Sequence, residues 1–178
     1  LNWTAPLPVN FESGNFRPPH LTQWDDKLDA ASDNPQHQRF EKAVSGVYLA
    51  SVFKVAMPES SLDPSTGAKG LVDLAYHSDS ATGAERQLAL QILTRSSQLV
   101  AASLAGVVEL LNDMHPRNSI YIVAEGGLFW GDPNYKTRTS DTLGSLLTEL
   151  GLGHISVDIV SVENANILGS IVSALSGK

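Results

Sequence analysis

The sequence predicts an α/β layer built on at least two parallel strands. Three observations carry this reading: a helix–strand–helix–strand–helix rhythm over the second half, the compact apolar run SIYIVA at Ser119–Ala124, and a second strand-like run at Ile155–Ser161. Strands separated by helical segments pair in parallel, because the crossover returns the chain to the same end of the sheet. One α/β domain over residues 1–178 is expected, since a chain of this length can bury a proper core, whether it stands as one domain or as one lobe of something larger.

In chain order, Val9–Phe16 reads as a short strand ending at Glu12–Gly14. Arg17–Ser32 contains RPPH and reads as an irregular loop with a turn of helix around Trp24–Leu28. A helix is predicted from Asn34 as N-cap, through Pro35 at the first position, where a missing N–H costs nothing, to a stop at Pro58. Its apolar residues Phe40, Val44, Val47, Val52 and Val55 recur near the helical period. Met57–Arg86 is rich in Ser, Gly, Asp and Pro, with a short helix around Leu71–His77. A long helix runs from Gly83 to about Met114, stopped by Pro116, and its small residues in SSQLVAASLAGVV allow a close neighbour. SIYIVA reads as a buried strand, ending at Glu125-Gly126-Gly127. A helix from Tyr135 or Ser140 to Leu150 closes on Gly151 as a left-handed C-cap. The strand Ile155–Ser161 and a final helix, Ile167–Leu175, complete the chain.

Composition excludes several classes. A net charge of −7 lacks the basic footprint that nucleic acid demands. With no cysteine, neither disulfides nor thiolate metal sites exist, and five scattered histidines give no zinc spacing. The apolar run Leu88–Leu111 is interrupted by Arg95, Gln91 and Gln98, so no membrane span is expected. LNWTAPLPVNF lacks signal-peptide character and starts with leucine, as expected of a chain cut from a longer parent, or equally of a processed or engineered start; a cytoplasmic location is expected.

Two polar features stand out. Gln38, Glu41 and Ser45 fall at i, i+3 and i+7, one face of a helix, beside the apolar positions. An ionised carboxylate accepts several strong hydrogen bonds, which suits a polyol; the alternative is a glutamate paired with Arg39 or Lys42 at the edge of the core. Ligands of open α/β sheets gather beyond the carboxyl ends of strands, where Glu125-Gly126-Gly127 and Glu163–Asn166 lie. Paired glycines admit a flat ligand, or simply make a tight turn.

Taken together, VNFESGNF, DNPQHQRFEKAVSGVYLA, LTRSSQLVAASLAGVVELL, IVAEGGLFWGDPNYKTR and VSVENANILGSIVSAL resemble the hexokinase family over nearly the whole chain. The resemblance implies the ribonuclease-H-like (actin-like) sugar-kinase fold, specifically the C-terminal part of the large lobe. It implies ATP, with Mg²⁺ arriving on the nucleotide, and transfer of a phosphoryl group to the 6-hydroxyl of a hexose. Glu12, Glu41 and Gln38 match sugar-binding positions, while Gly46, Val47, Gly126, Gly127, Leu128 and Gly169 match nucleotide-side positions. The catalytic aspartate, the first phosphate loop and the small lobe belong to the family's N-terminal part, so the missing N-terminal lobe is the implied partner and the piece alone is expected to be inactive.

The chain departs from the family pattern at two loops. Gly127 replaces a hydroxyl residue, and Asn164-Ala165-Asn166-Ile167-Leu168 replaces a glycine-rich closing segment. Met57–Arg86 is also shorter than the corresponding family region. The altered closing loop and the missing hydroxyl support an alternative, a non-catalytic sugar-binding or regulatory protein; an interaction domain without a ligand is a third reading.

Overall fold

The computed structural model describes residues 11–176. Phe11–Phe16 is not a strand: Ser13–Asn15 forms a 3₁₀ turn, entered through Glu12 in the left-handed region at φ 42°. The remaining residues of that predicted strand, Val9 and Asn10, lie outside the described residues. The turn near Trp24 is a full helix, α1 (Gln23–Ala30), started by a reciprocal cap between Thr22 and Asp25.

The predicted helix from Asn34 to Pro58 is two helices. Residues 34–38 stay outside it, α2 spans Arg39–Val44, and α3 spans Gly46–Ala56. Two tertiary forces override local propensity here. Asp29 takes the Gln36 N–H at 2.9 Å and Asn15 takes the Gln38 N–H at 3.2 Å, pulling Gln36 and Gln38 to φ 70° and 52°. At the other end, Gly46 packs so closely that a Cβ there would lie 2.9 Å from Ala68 Cβ and 3.3 Å from Leu128 Cβ. Ser45 is extended between the two helices, so Gln38, Glu41 and Ser45 do not form one helical stripe.

α4 (Gly67–Tyr76) follows a 3₁₀ turn at Pro64–Thr66, and begins earlier than the sequence suggests. α5 runs Gly83–Met114, capped by Thr82 and Glu85. β1 (Ser119–Val123) leads into the short α6 (Gly127–Gly131) and then α7 (Tyr135–Glu149). Gly151, at φ 74°, lets the Gly151 and Leu152 N–H groups bond back to Thr148 and Leu147. β2 (Ser156–Val160) and α8 (Ala165–Ser176) close the chain.

β1 and β2 pair in parallel, Ser119 opposite Ser156 and Val123 opposite Val160. β1 is not buried on both sides. Ile120 and Ile122 pack with Val157 against the apolar cluster of α5 and α7, while Tyr121 is 71% exposed on the other face.

The core has two parts. Leu49, Phe53, Leu71 and Leu93 centre one, where α3, α4 and α5 meet; Ala101, Ala105, Leu143 and Leu147 centre the other, between α5 and α7. The small residues of α5 do admit α7 closely, as its sequence predicts. Between the two clusters α5 carries buried Ser96 and Ser97.

Candidate functional site

Glu41 sits on the short helix α2, and a network of ion pairs fixes how that helix lies. Lys42 Nζ donates to Asp29 Oδ1 at 2.7 Å, and Arg39 reaches Asp29 Oδ2 at 3.1 Å as well as Asp26. Asp29 is 1% exposed; burial raises its pKa, but the Lys42 and Gln36 hydrogen bonds and both cations outweigh this and hold it below the usual value. The two cations next to Glu41 in sequence are thus committed to Asp26 and Asp29.

The Glu41 carboxylate is half-buried and takes no hydrogen bond or ion pair among the described residues. It faces the 3₁₀ turn: a Cβ built on Gly14 would stand 3.4 Å from Glu41 Oε2. That turn is tied to α2 by Phe40 N–H donating to Phe16 O at 2.9 Å and by the Asn15–Gln38 bond. Glu12 opens the same turn, its carbonyl accepting from Asn15 N–H. Gln38 Oε1 accepts from Asn34 at 2.7 Å. The 3₁₀ turn that Glu12 opens and the start of α2 that carries Gln38 and Glu41 are therefore tied at one junction. Glu12, Gln36 and Gln38 all carry positive φ around it, the kind of strain that persists only where surrounding bonds enforce it.

A separate cleft of about 1370 Å³ lies where α3, α4, α6 and the ends of the strands meet. Gly46, Val47, Gly126, Gly127 and Leu128 all line it. Gly126 needs glycine for its φ of 127°; Gly127 has neither that need nor any atom within 4 Å of a built Cβ, so its face is open. Gly46 has a packing role too, as the contact point of α3 with α4 and α6. Gly169 stands apart: it lies on α8, away from the cleft lining, with nothing within 4 Å of a built Cβ.

Sequence reading missed several residues. Phe129 lines the cleft and packs edge-on against Tyr135, 5.6 Å between centroids. Lys69 reaches the cleft but pairs with Asp73 at 2.6 Å; Glu125, at the strand end the sequence did single out, adds a second carboxylate. Asn15 and Asp29 carried only a weak signal, since they act on residues far along the chain. Among the described residues no group of three or more His, Asp or Glu side chains is placed to hold a metal.

Comparison with known proteins decides the family. The model of the hexokinase family, described as "Hexokinase", matches residues 4–66 and 65–176. The chain belongs to the hexokinase family. Hexokinase-2 of Solanum tuberosum is 28% identical over 221 residues, covering 97% of the chain and 44% of that protein. The hexokinase of Emericella nidulans is 26% identical, covering 97% of the chain and 43% of its own length. Among solved structures, one described as a crystal structure of hexokinase superposes with TM-score 0.62 at 25% identity, over 88% of the chain and 41% of its own. The Schistosoma mansoni hexokinase complexed with glucose gives TM-score 0.66 at 18% identity, again over 88% and 41%. The fold is thus the actin-like α/β fold of the hexokinases, and the chain spans less than half the length of these relatives.

The match also locates a difference. The span shared with the potato protein, 221 positions, is longer than the 178-residue chain, so residues are missing here within it. The two family-model stretches meet at Ser65–Thr66, in the 3₁₀ turn before α4. Pro64 and Ser65 of that turn line the cleft. The two stretches of the family model therefore adjoin at the rim of the cleft.

Proposed function

We propose that the chain is the C-terminal part of an ATP-dependent hexokinase acting on the 6-hydroxyl of a glucose-like hexose. Glu12 and Glu41, with Gln38, orient the sugar; the cleft lined by Gly46, Val47, Gly126, Gly127 and Leu128 takes the adenosine side of ATP, with Mg²⁺ carried on the phosphates. The acid–base aspartate and the phosphate loop that such a transfer requires would come from the part of the family's length that this chain does not span.

The observation that carries the reading is Glu41: half-buried, facing Gly14, and without a cation although Arg39 and Lys42 stand beside it in sequence. A partly desolvated carboxylate left this way has acceptor capacity that a polyol can fill. The glucose complex of the Schistosoma hexokinase, a neighbour in fold, supports the same ligand class.

Calorimetric titration of the chain with glucose, and of the Glu41→Gln form, tests this. Loss of charge-assisted hydrogen bonds should weaken glucose about 10- to 100-fold, from roughly 1.5–3 kcal/mol per interaction. Equal affinity in both forms removes Glu41 from the site. Adding MgATP to the chain alone should give no sugar phosphate, because half of each ligand site is absent.

The cleft's lining favours a second reading, a sugar-binding protein without turnover. Asp73 and Glu125 face it beside a single lysine already paired, the family-model match breaks at its rim, and Gly127 offers no hydroxyl. Glucose binding without any MgATP binding, in the chain and in a parent carrying the missing lobe, selects that reading.

A further inference from the structure

The two candidate sites adjoin through the end of α2. Val44 is the last residue of that helix, and its carbonyl is among those a helix terminus leaves without an internal donor. Ser96 Oγ of α5, fully buried, donates to Val44 O at 2.8 Å. Ser96 Oγ also lies 2.7 Å from the hydroxyl of Tyr135, the first residue of α7, which is 2% exposed and lies on the cleft floor. A hydroxyl has one proton, and Ser96 spends its own on Val44, so Tyr135 O–H is the donor to Ser96. The relay therefore has a fixed direction, from Tyr135 to Ser96 to the Val44 carbonyl. Burial pushes the Tyr135 phenol up, despite the Ser96 bond and Arg138 nearby, so that proton is retained.

α2 has six residues, too few to hold its own axis. Its start is fixed by the Asp29 pairs and the Asn15–Gln38 bond, and its end by Ser96. Glu41 stands one helical turn before that end. On the other side of the joint, Ser45 and Gly46 are already cleft wall. Tyr135, bonded to the Ser96 hydroxyl that holds the end of the Glu41 helix, lines the cleft together with Phe129, which packs edge-on against it.

We propose that Ser96 and Tyr135 are positioning residues, whose hydrogen-bond relay couples occupancy of the cleft to the placement of Glu41. The inference rests on the two-site reading given under Proposed function, and adds to it the residues through which one site feels the other. By reciprocity, nucleotide must change glucose affinity by the same factor that glucose changes nucleotide affinity.

Glucose titrations of the chain, with and without saturating AMP-PNP and Mg²⁺, measure that factor. We expect it to be roughly five-fold or more in the unsubstituted chain, the lower end of ordinary coupling. It should fall below about two-fold in both Ser96→Ala and Tyr135→Phe, and the double variant should lose no more than either single, because both changes break one relay. A residue important only for stability would lower the melting temperature and leave the factor intact. Should Ser96→Ala not fold, Tyr135→Phe, which removes a single oxygen, carries the test. A factor unchanged in the variants overturns the relay, as does a factor near one in the unsubstituted chain binding both ligands; the two-site reading survives either result. No nucleotide binding at all overturns both the relay and the assignment of the cleft.

Discussion

Gly14 abuts the carboxylate of Glu41: a methyl group on Gly14 would touch Glu41 Oε2 at 3.4 Å and Glu41 Cβ at 3.5 Å. Those are ordinary contact distances, so alanine fits and anything larger must displace the glutamate. Gly14→Ala should leave glucose affinity within about two-fold, and Gly14→Val should weaken it about as much as Glu41→Gln, roughly ten-fold. Calorimetric titration of the three forms reads this directly. A Gly14→Val chain that binds glucose normally would separate Glu41 from the sugar.

Asp29 anchors α2 through two buried cations. Asp29→Ala leaves Lys42 buried with only the Ser32 hydroxyl and Asn34 carbonyl as acceptors, and removes a partner of Arg39. Breaking such a buried pair costs about 3–5 kcal/mol. The melting temperature should fall by roughly 10 °C in a chain of this size. A fall of only a degree or two would show that water reaches Lys42 freely.

Gly46 and Ala68 form a contact with no slack, 2.9 Å between the built Cβ and the Ala68 Cβ. Gly46→Ala should cost about 1–3 kcal/mol through overpacking. Adding Ala68→Gly should recover part of that loss, leaving only the Leu128 contact. Denaturant melts of the single and double variants give the coupling, and strict additivity would contradict the contact.

Asp25 and Asp29 both titrate below their ordinary carboxylate value. For Asp25, burial acts upward but is outweighed by the two-pronged Arg95 bonds at 2.7 and 2.8 Å and by Thr22. A depressed folded-state pKa contributes stability that is complete above the unfolded value of 3.8 and is lost as pH falls through the lower folded value. The melting temperature should therefore hold level from pH 7 to about 5 and drop steeply below about 4. Asp25→Asn should be less stable at pH 7 and show a shallower acid drop, because it has no such proton to take up.

Elements whose signals are local were legible in the sequence. α5 runs from Gly83 to Met114, as expected with Pro116 as its stop, and Gly151 closes α7 as its left-handed φ requires. The parallel strands followed from the spacing of apolar runs. The single helix expected from Asn34 failed because its two breaks are set elsewhere: Asn15 and Asp29 capture backbone N–H groups of residues 36 and 38, and Ala68 with Leu128 leaves Gly46 no room. No periodicity in residues 34–58 encodes those partners. The family resemblance named Glu12, Gln38 and Glu41 together even though the helical stripe did not survive. The relay through Ser96 and Tyr135 links residues far apart in sequence, so nothing in either neighbourhood announces it.

α5 serves both halves of the interior. At about 1.5 Å per residue its 32 residues make a rod of roughly 48 Å, with Leu93 seated in one apolar cluster and Ala105 in the other. Neither cluster can melt without fraying the beam that the other rests on. Heat should therefore dismantle the molecule in a single step, and damage at either end of that beam should be felt along its whole length.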